Sequence, residues 1–148
     1  DGLSFSVVNS CAVPFADASL DAVLLFAVLT CIPSDESQKQ LIAEISRVLR
    51  PGGLLLISDY PLQQDERNRN RYESFQHEFP VYGTFRLSDG AVVRHHSVEW
   101  LSELLAGFLI EERIELEAKT MNGNPARILQ FWARRDDKPL QPIGNLIR

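Results

Sequence analysis

The sequence predicts an α/β domain closed by an antiparallel hairpin, and three observations predict it. A doubly apolar run, Ala22 to Leu29, is followed by an amphipathic helical pattern, a Pro-Gly-Gly stop and a second apolar run. Strands that are apolar on both faces belong in parallel sheets covered by helices. A strand, a helix and a second strand in that order form a βαβ unit with parallel strands. Near the end of the chain, Ile110 to Lys119 and Arg127 to Arg134 alternate with period two across Asn122-Gly123-Asn124-Pro125, which reads as a hairpin.

Taken in order, Phe5 to Val8 is β-branched and aromatic and reads as a strand tip, followed by a loop through Pro14. Asp21 to Ala27 is the first full strand. Ser34 is placed to cap a helix, with Asp35 and Glu36 near the positive end of its dipole. Leu41, Ile42, Ile45, Val48 and Leu49 form its apolar stripe, and Lys39, Gln40, Glu44 and Arg47 lie off it. Arg50-Pro51-Gly52-Gly53 ends the helix, and Gly53 to Ser58 is the next buried strand, ending at Asp59-Tyr60. Residues 61–71 are polar and rich in Arg and Asn and are expected to form a mobile loop, with a short helix over Tyr72 to Phe79. Gly83 to Arg94 reads as a small hairpin turning at Asp89-Gly90. Ser97 caps a helix from Val98 to Phe108, with Trp100, Leu101, Leu104, Leu105 and Phe108 inward. Residues 1–135 form the domain, and residues 136–148, with Pro139, Pro142 and Gly144, a loose tail.

Composition narrows the function. The 148 residues are 45% hydrophobic and 24% charged, which supports a packed core. Fifteen basic against twenty acidic residues leave a net charge of −5 without a basic stripe, which argues against nucleic acid as a partner. The alternating Arg67, Arg69 and Arg71 read as a solvated loop. No apolar stretch approaches the about 20 residues needed to span a bilayer, and no signal core is present, so no membrane partner is expected and a cytoplasmic location is. Cys11 and Cys31 read as reduced thiols. His95 and His96 are adjacent and point to opposite faces of an extended segment, so they do not make a metal site, and no metal is expected.

Three passages resemble a known family, the class I, Rossmann-like S-adenosylmethionine-dependent methyltransferases, in their small-molecule branch. Val13-Pro14-Phe15-Ala16-Asp17-Ala18-Ser19-Leu20-Asp21 resembles the family's approach to its fourth strand, and Leu24 to Leu29 that strand and its exit. Leu49-Arg50-Pro51-Gly52-Gly53-Leu54-Leu55-Leu56-Ile57-Ser58 resembles the family's "VLRPGGxLLIS". The resemblance implies a partial Rossmann-like sheet, mostly parallel with helices on both faces. It also implies that the chain starts at the family's third strand, since the Gly-rich turn after the first strand and the acidic residue after the second have no counterpart here. A fragment of a longer enzyme is therefore expected, with an open edge on the strand at Ala22 to Ala27 that invites a homodimer.

The resemblance further implies S-adenosylmethionine as cofactor and a small molecule as methyl acceptor. Asn9, Ser10 and Cys11 would meet the adenine, and Phe26 and Ala27 the methionine part, at the carboxyl edge where open α/β sheets bind ligands. Substrate candidates are Asp59, Tyr60, Tyr72, Tyr82, Arg94, His95, His96 and Asn122. No catalytic base is identified, and in-line methyl transfer needs one only for some acceptors. The alternative reading is a non-catalytic binding or dimerisation module built on the same frame.

Overall fold

A computed structural model describes residues 2–8, 12–120 and 122–136. Four strands form one mixed sheet: β1 (Leu20–Phe26), β2 (Leu49–Asp59), β5 (Phe108–Lys119) and β6 (Pro125–Arg135), in the order β1-β2-β6-β5. The β1–β2 pair is parallel, in register Val23 to Leu55 and Leu25 to Ile57, while β6 runs antiparallel to both β2 and β5. The parallel part of the described sheet is thus one ladder, because the closing hairpin supplies the other two. Two short strands, β3 (Thr84–Arg86) and β4 (Val92–Arg94), pair separately as a hairpin.

Helix α1 (Asp35–Val48) makes the crossover. The Ser34 hydroxyl accepts the Ser37 N–H at 3.3 Å, Asp35 and Glu36 sit in the first turn, and Gln38, Ile42, Ile45 and Val48 are buried. Helix α3 (Val98–Leu104) starts at Ser97, whose hydroxyl accepts the Trp100 N–H. It ends four residues sooner than its apolar pattern, and Leu105 and Phe108 enter the core from the turn and from β5. Both helices bury Ile42, Ile45, Leu101 and Leu104 against Leu25, Leu55, Ile57, Leu129 and Phe131, on one face of the sheet. On the other face Leu24 and Phe26 are 56% and 57% exposed. Helices on both faces were expected; among the described residues the core helices lie on one.

The first part of β2 requires a glycine. A Cβ at Gly53 would lie 2.8 Å from the Arg50 carbonyl oxygen, closer than real Cβ atoms come. Arg47 fastens the preceding loop to α1, donating to the Val13 and Phe15 carbonyls and pairing with Asp17 and Glu44.

Two expectations are corrected. Residues 66–71 belong to helix α2 (Glu66–Phe75) rather than to a loop, because Asp65 caps it by accepting the Asn68 N–H at 3.1 Å. Phe5 to Val8 is exposed and makes no strand, because no strand of the described sheet lies beside it and an isolated strand has no partner for its backbone. Asn9 to Cys11 and the tail beyond residue 136 lie outside the described residues. No described helix is long and apolar enough to cross a membrane.

Leu55 is fully buried between the helices and β6. Leu55→Ala is expected to destabilise the chain by about 2–5 kcal/mol, lowering the urea midpoint at an unchanged slope.

Candidate functional site

The carboxyl ends of β1 and β2 point the same way, since the two strands are parallel, and every well-connected polar side chain near them meets there. Asp59, the last residue of β2, is 1% exposed. Its carboxylate accepts the backbone N–H groups of Tyr60 at 2.8 Å, of Thr30 at 3.2 Å and of Leu29. Thr30 lies in the single 3₁₀ turn, Leu29–Cys31, that follows β1, and its hydroxyl donates to the Arg94 carbonyl at 2.8 Å. Burial pushes the Asp59 pKa up to about 6, against the opposing effect of those donors.

His96 stands behind Asp59 with no exposure at all. Trp100 Nε1 can only donate, so the oxygen of the Gln38 amide, 2.7 Å away, is the accepting end. The amide nitrogen can only donate; its two protons serve the Ile32 carbonyl and His96 Nε2, 2.8 Å away, with the Leu29 carbonyl at 3.1 Å sharing one of them. His96 Nε2 is therefore an unprotonated acceptor, and the proton sits on Nδ1, which is 4.0 Å from Asp59 Oδ1, beyond a direct hydrogen bond, and has no hydrogen-bond partner among the described residues. Burial, then the charge of Arg94, brings the His96 pKa down to about 4. Arg94 itself is buried, donates to the Pro33 carbonyl and Asp35, and lies over the Trp100 ring.

A second cluster lies on the outer side of these groups. The Tyr72 hydroxyl accepts the Gln63 N–H at 3.0 Å and sits 2.6 Å from His95 Nδ1. The His95 ring stacks on Tyr60, with centroids 5.4 Å apart, and meets Tyr72 and Phe85 edge-on. Tyr82 packs edge-on against Tyr72 and is 42% exposed. Burial drives the His95 pKa down to about 3, helped by Arg71, and the Tyr72 pKa up to about 12. Gly83 makes this approach feasible: at φ +94°, its Cβ would fall 2.4 Å from the His95 carbonyl oxygen.

The structure thus gathers seven of the eight substrate candidates: Asp59, Arg94 and His96 in the buried layer, and Tyr60, Tyr72, Tyr82 and His95 in the aromatic one. Asn122 lies apart, in the exposed β5–β6 turn. Gln38, Gln63 and Trp100 carry the network and were missed, although Gln38 falls on the apolar stripe of α1, three and four residues before Leu41 and Ile42. Among the described residues no group of three His, Cys, Asp or Glu is placed to hold a metal ion.

At the end of β1, Phe26 is exposed and Ala27 adopts φ +52°, a left-handed backbone unusual outside glycine, with its N–H bonded to the Ser58 carbonyl. A separate cavity of about 810 Å³ opens between the α2 entry and the β5–β6 hairpin, lined by Gln63, Asp65, Arg67, Glu117, Lys119 and Arg127 among others.

Residues 1–57 match the methyltransferase domain family. A SAM-dependent methyltransferase structure from Methanosarcina mazei superposes with a TM-score of 0.83 at 26% identity, over 89% of this chain and 66% of that one. The fold is that of the class I methyltransferases. The methyltransferase frame also superposes, at 20% identity and a TM-score of 0.57, on the 1,6-didemethyltoxoflavin-N1-methyltransferase of Burkholderia thailandensis, solved with S-adenosylhomocysteine, over 82% of this chain and 46% of that one. The human tRNA N(3)-cytidine methyltransferase METTL2B is 43% identical over 124 residues, 80% of this chain and 30% of the relative. An uncharacterized Haemophilus influenzae protein is 48% identical over 54 residues, 36% of this chain and 21% of its own length. The chain therefore spans under a third of these curated relatives.

The site sets the acid sensitivity of the fold. Burial holds the His95 and His96 pKa values at about 3 and 4, below their unfolded value near 6.5, so in that window the unfolded chain binds the extra protons and stability is lost as the pH drops. Asp59 acts the other way between about 4 and 6, where the native chain holds the proton. Two groups outweigh one, so the melting temperature is expected to fall from pH 6.5 to 4, and less steeply in His95→Gln, as followed by circular dichroism.

Proposed function

We propose that this chain contributes the acceptor side, and part of the cofactor side, of an S-adenosylmethionine-dependent methyltransferase whose acceptor is a small molecule docked beside Tyr60, Tyr82 and His95. One observation carries the reading: the aromatic cluster stands at the end of β2, directly beside the exposed end of β1 in a parallel pair. Phe26 and Ala27 would hold the methionine part of the cofactor, and Asn9, Ser10 and Cys11 the adenine. When bound, the cofactor supplies an electrophilic methyl group on a sulfonium.

The chain's own part is positioning. Tyr60, Tyr82 and His95 orient the acceptor, and Tyr72 braces His95. Asp59, Arg94 and His96 are buried and internally bonded, so they act by holding the ends of β1 and β2 relative to each other. Correct placement of nucleophile and methyl group supplies several kcal/mol of barrier reduction without a base. The acidic balance and the soluble composition support a small-molecule acceptor and a cytoplasmic setting.

Two other readings each rest on one observation. Identity of 43% with a tRNA N(3)-cytidine methyltransferase over 124 residues favours a tRNA base as acceptor. The open β1 edge, with Leu24 and Phe26 exposed, favours a binding or dimerisation module in which a second copy covers that edge.

Calorimetric titration of the 148-residue chain with S-adenosylhomocysteine, alongside its mass by light scattering, tests the proposal. Saturable micromolar binding is expected, and a folded chain that binds none would overturn it. Asn9→Ala is expected to weaken that binding by about 1 kcal/mol, roughly fivefold. Transfer of a labelled methyl group to tRNA but not to flat heterocycles would assign the acceptor to tRNA.

A further inference from the structure

The protons of the aromatic cluster can be placed by counting donors. Tyr72 is 1% exposed, so its hydroxyl proton must go to an acceptor inside the protein. Two groups are in reach of that oxygen: the Gln63 N–H, which only donates, and His95 Nδ1 at 2.6 Å. If His95 Nδ1 carried a proton, the Tyr72 oxygen would accept twice and its own proton would be stranded in a buried site. That arrangement costs about 1–3 kcal/mol. The hydroxyl therefore donates to Nδ1, and the His95 proton resides on Nε2. Nε2 meets no partner among the described residues, while stacking on Tyr60 and edge contacts with Tyr72 and Phe85 fix the plane in which its N–H points.

We propose that His95 is a specificity-determining donor and not a base: its Nε2–H binds a lone pair, a ring nitrogen or carbonyl oxygen, on a flat acceptor molecule lying against Tyr60 and Tyr82. The contact rests on the methyltransferase reading for its purpose, but its geometry needs no cofactor. The aromatic walls set the preference for a flat group, since ring faces and edges pack best against planar partners. Nε2 is not among the buried unpaired atoms, so its N–H is open to an incoming ligand, and a flat ligand that covers it without offering a lone pair leaves it unpaired and is rejected more strongly than by an apolar wall. A substrate of this site would present its nucleophilic atom already unprotonated, because His95 has no free lone pair with which to take a proton.

Long-range nitrogen-15 correlation spectra of the histidine-labelled 148-residue chain test both halves. The expected result is His95 protonated at Nε2 and bare at Nδ1 at every pH from 8 to 5, with Tyr72→Phe shifting it toward a mixture of tautomers. A His95 protonated at Nδ1 in the unaltered chain would overturn the assignment. At pH 8, 4-methylpyridine is expected to move the Nε2–H resonance saturably, and toluene, of the same shape without the lone pair, to bind at least about tenfold more weakly. Equal responses, or none to either probe, would overturn the donor role. These readouts are independent of S-adenosylhomocysteine, so failure of the cofactor titration and failure of this contact are separate results.

Discussion

The Asp59 carboxylate joins the two halves of the site. It closes β2, accepts the N–H of its own neighbour Tyr60, and reaches across to the N–H groups of Leu29 and Thr30 in the turn that leaves β1. A carboxylate is suited to this because it offers several lone-pair sites and strengthens each bond with its charge. The carboxyl ends of β1 and β2 are thereby held to each other through a single buried group. Its partners extend the tie: Thr30 reaches the backbone of Arg94, while Gln38 links the turn to His96 and Trp100. Under the proposed methyl transfer, this tie would supply the fixed geometry between two strand ends that an in-line displacement needs.

The cost of that arrangement is a concentration of polar groups where water is excluded. Asp59, Gln38, Arg94 and His96 are all buried, and burial shifts the ionisable Asp59 and His96 toward their neutral forms. The network tolerates this because nearly every group is bonded; His96 Nδ1 and Arg94 Nε are the exceptions within it. The aromatic layer outside is built differently. There, ring packing and one hydroxyl-to-imidazole bond fix His95, and Gly83 provides the clearance.

The two edges of the sheet are equally unlike. β5 is an exposed edge studded with Glu111, Glu112, Arg113, Glu115, Glu117 and Lys119, and alternating charge discourages another strand from pairing with it. β1 carries no such protection, and its outer face shows Leu24 and Phe26. The doubly apolar character that marks this strand as internal is real, and among the described residues the second face is simply not covered.

Local pattern and turn chemistry in the sequence alone determined the βαβ unit, the Ser34 and Ser97 caps, the Pro-Gly-Gly turn and the closing hairpin, because each depends on residues within a few positions of one another. The same local logic failed at residues 66–71, where the charge run hid a helix capped by Asp65, and at Phe5 to Val8, where strand-forming residues had no neighbouring strand. The strand-end location of Asp59 and Tyr60 was also legible, whereas His95 could be placed only ahead of the Ser97-capped helix. Only the tertiary structure decided where each candidate sits and what it bonds to. It placed His96 and Asp59 inside and His95 outside, and it brought Gln38 to His96 from 58 residues away and Trp100 to Gln38 from 62. Burial and hydrogen-bond count are properties of the packed chain, and they, rather than residue type, set which nitrogen holds the proton.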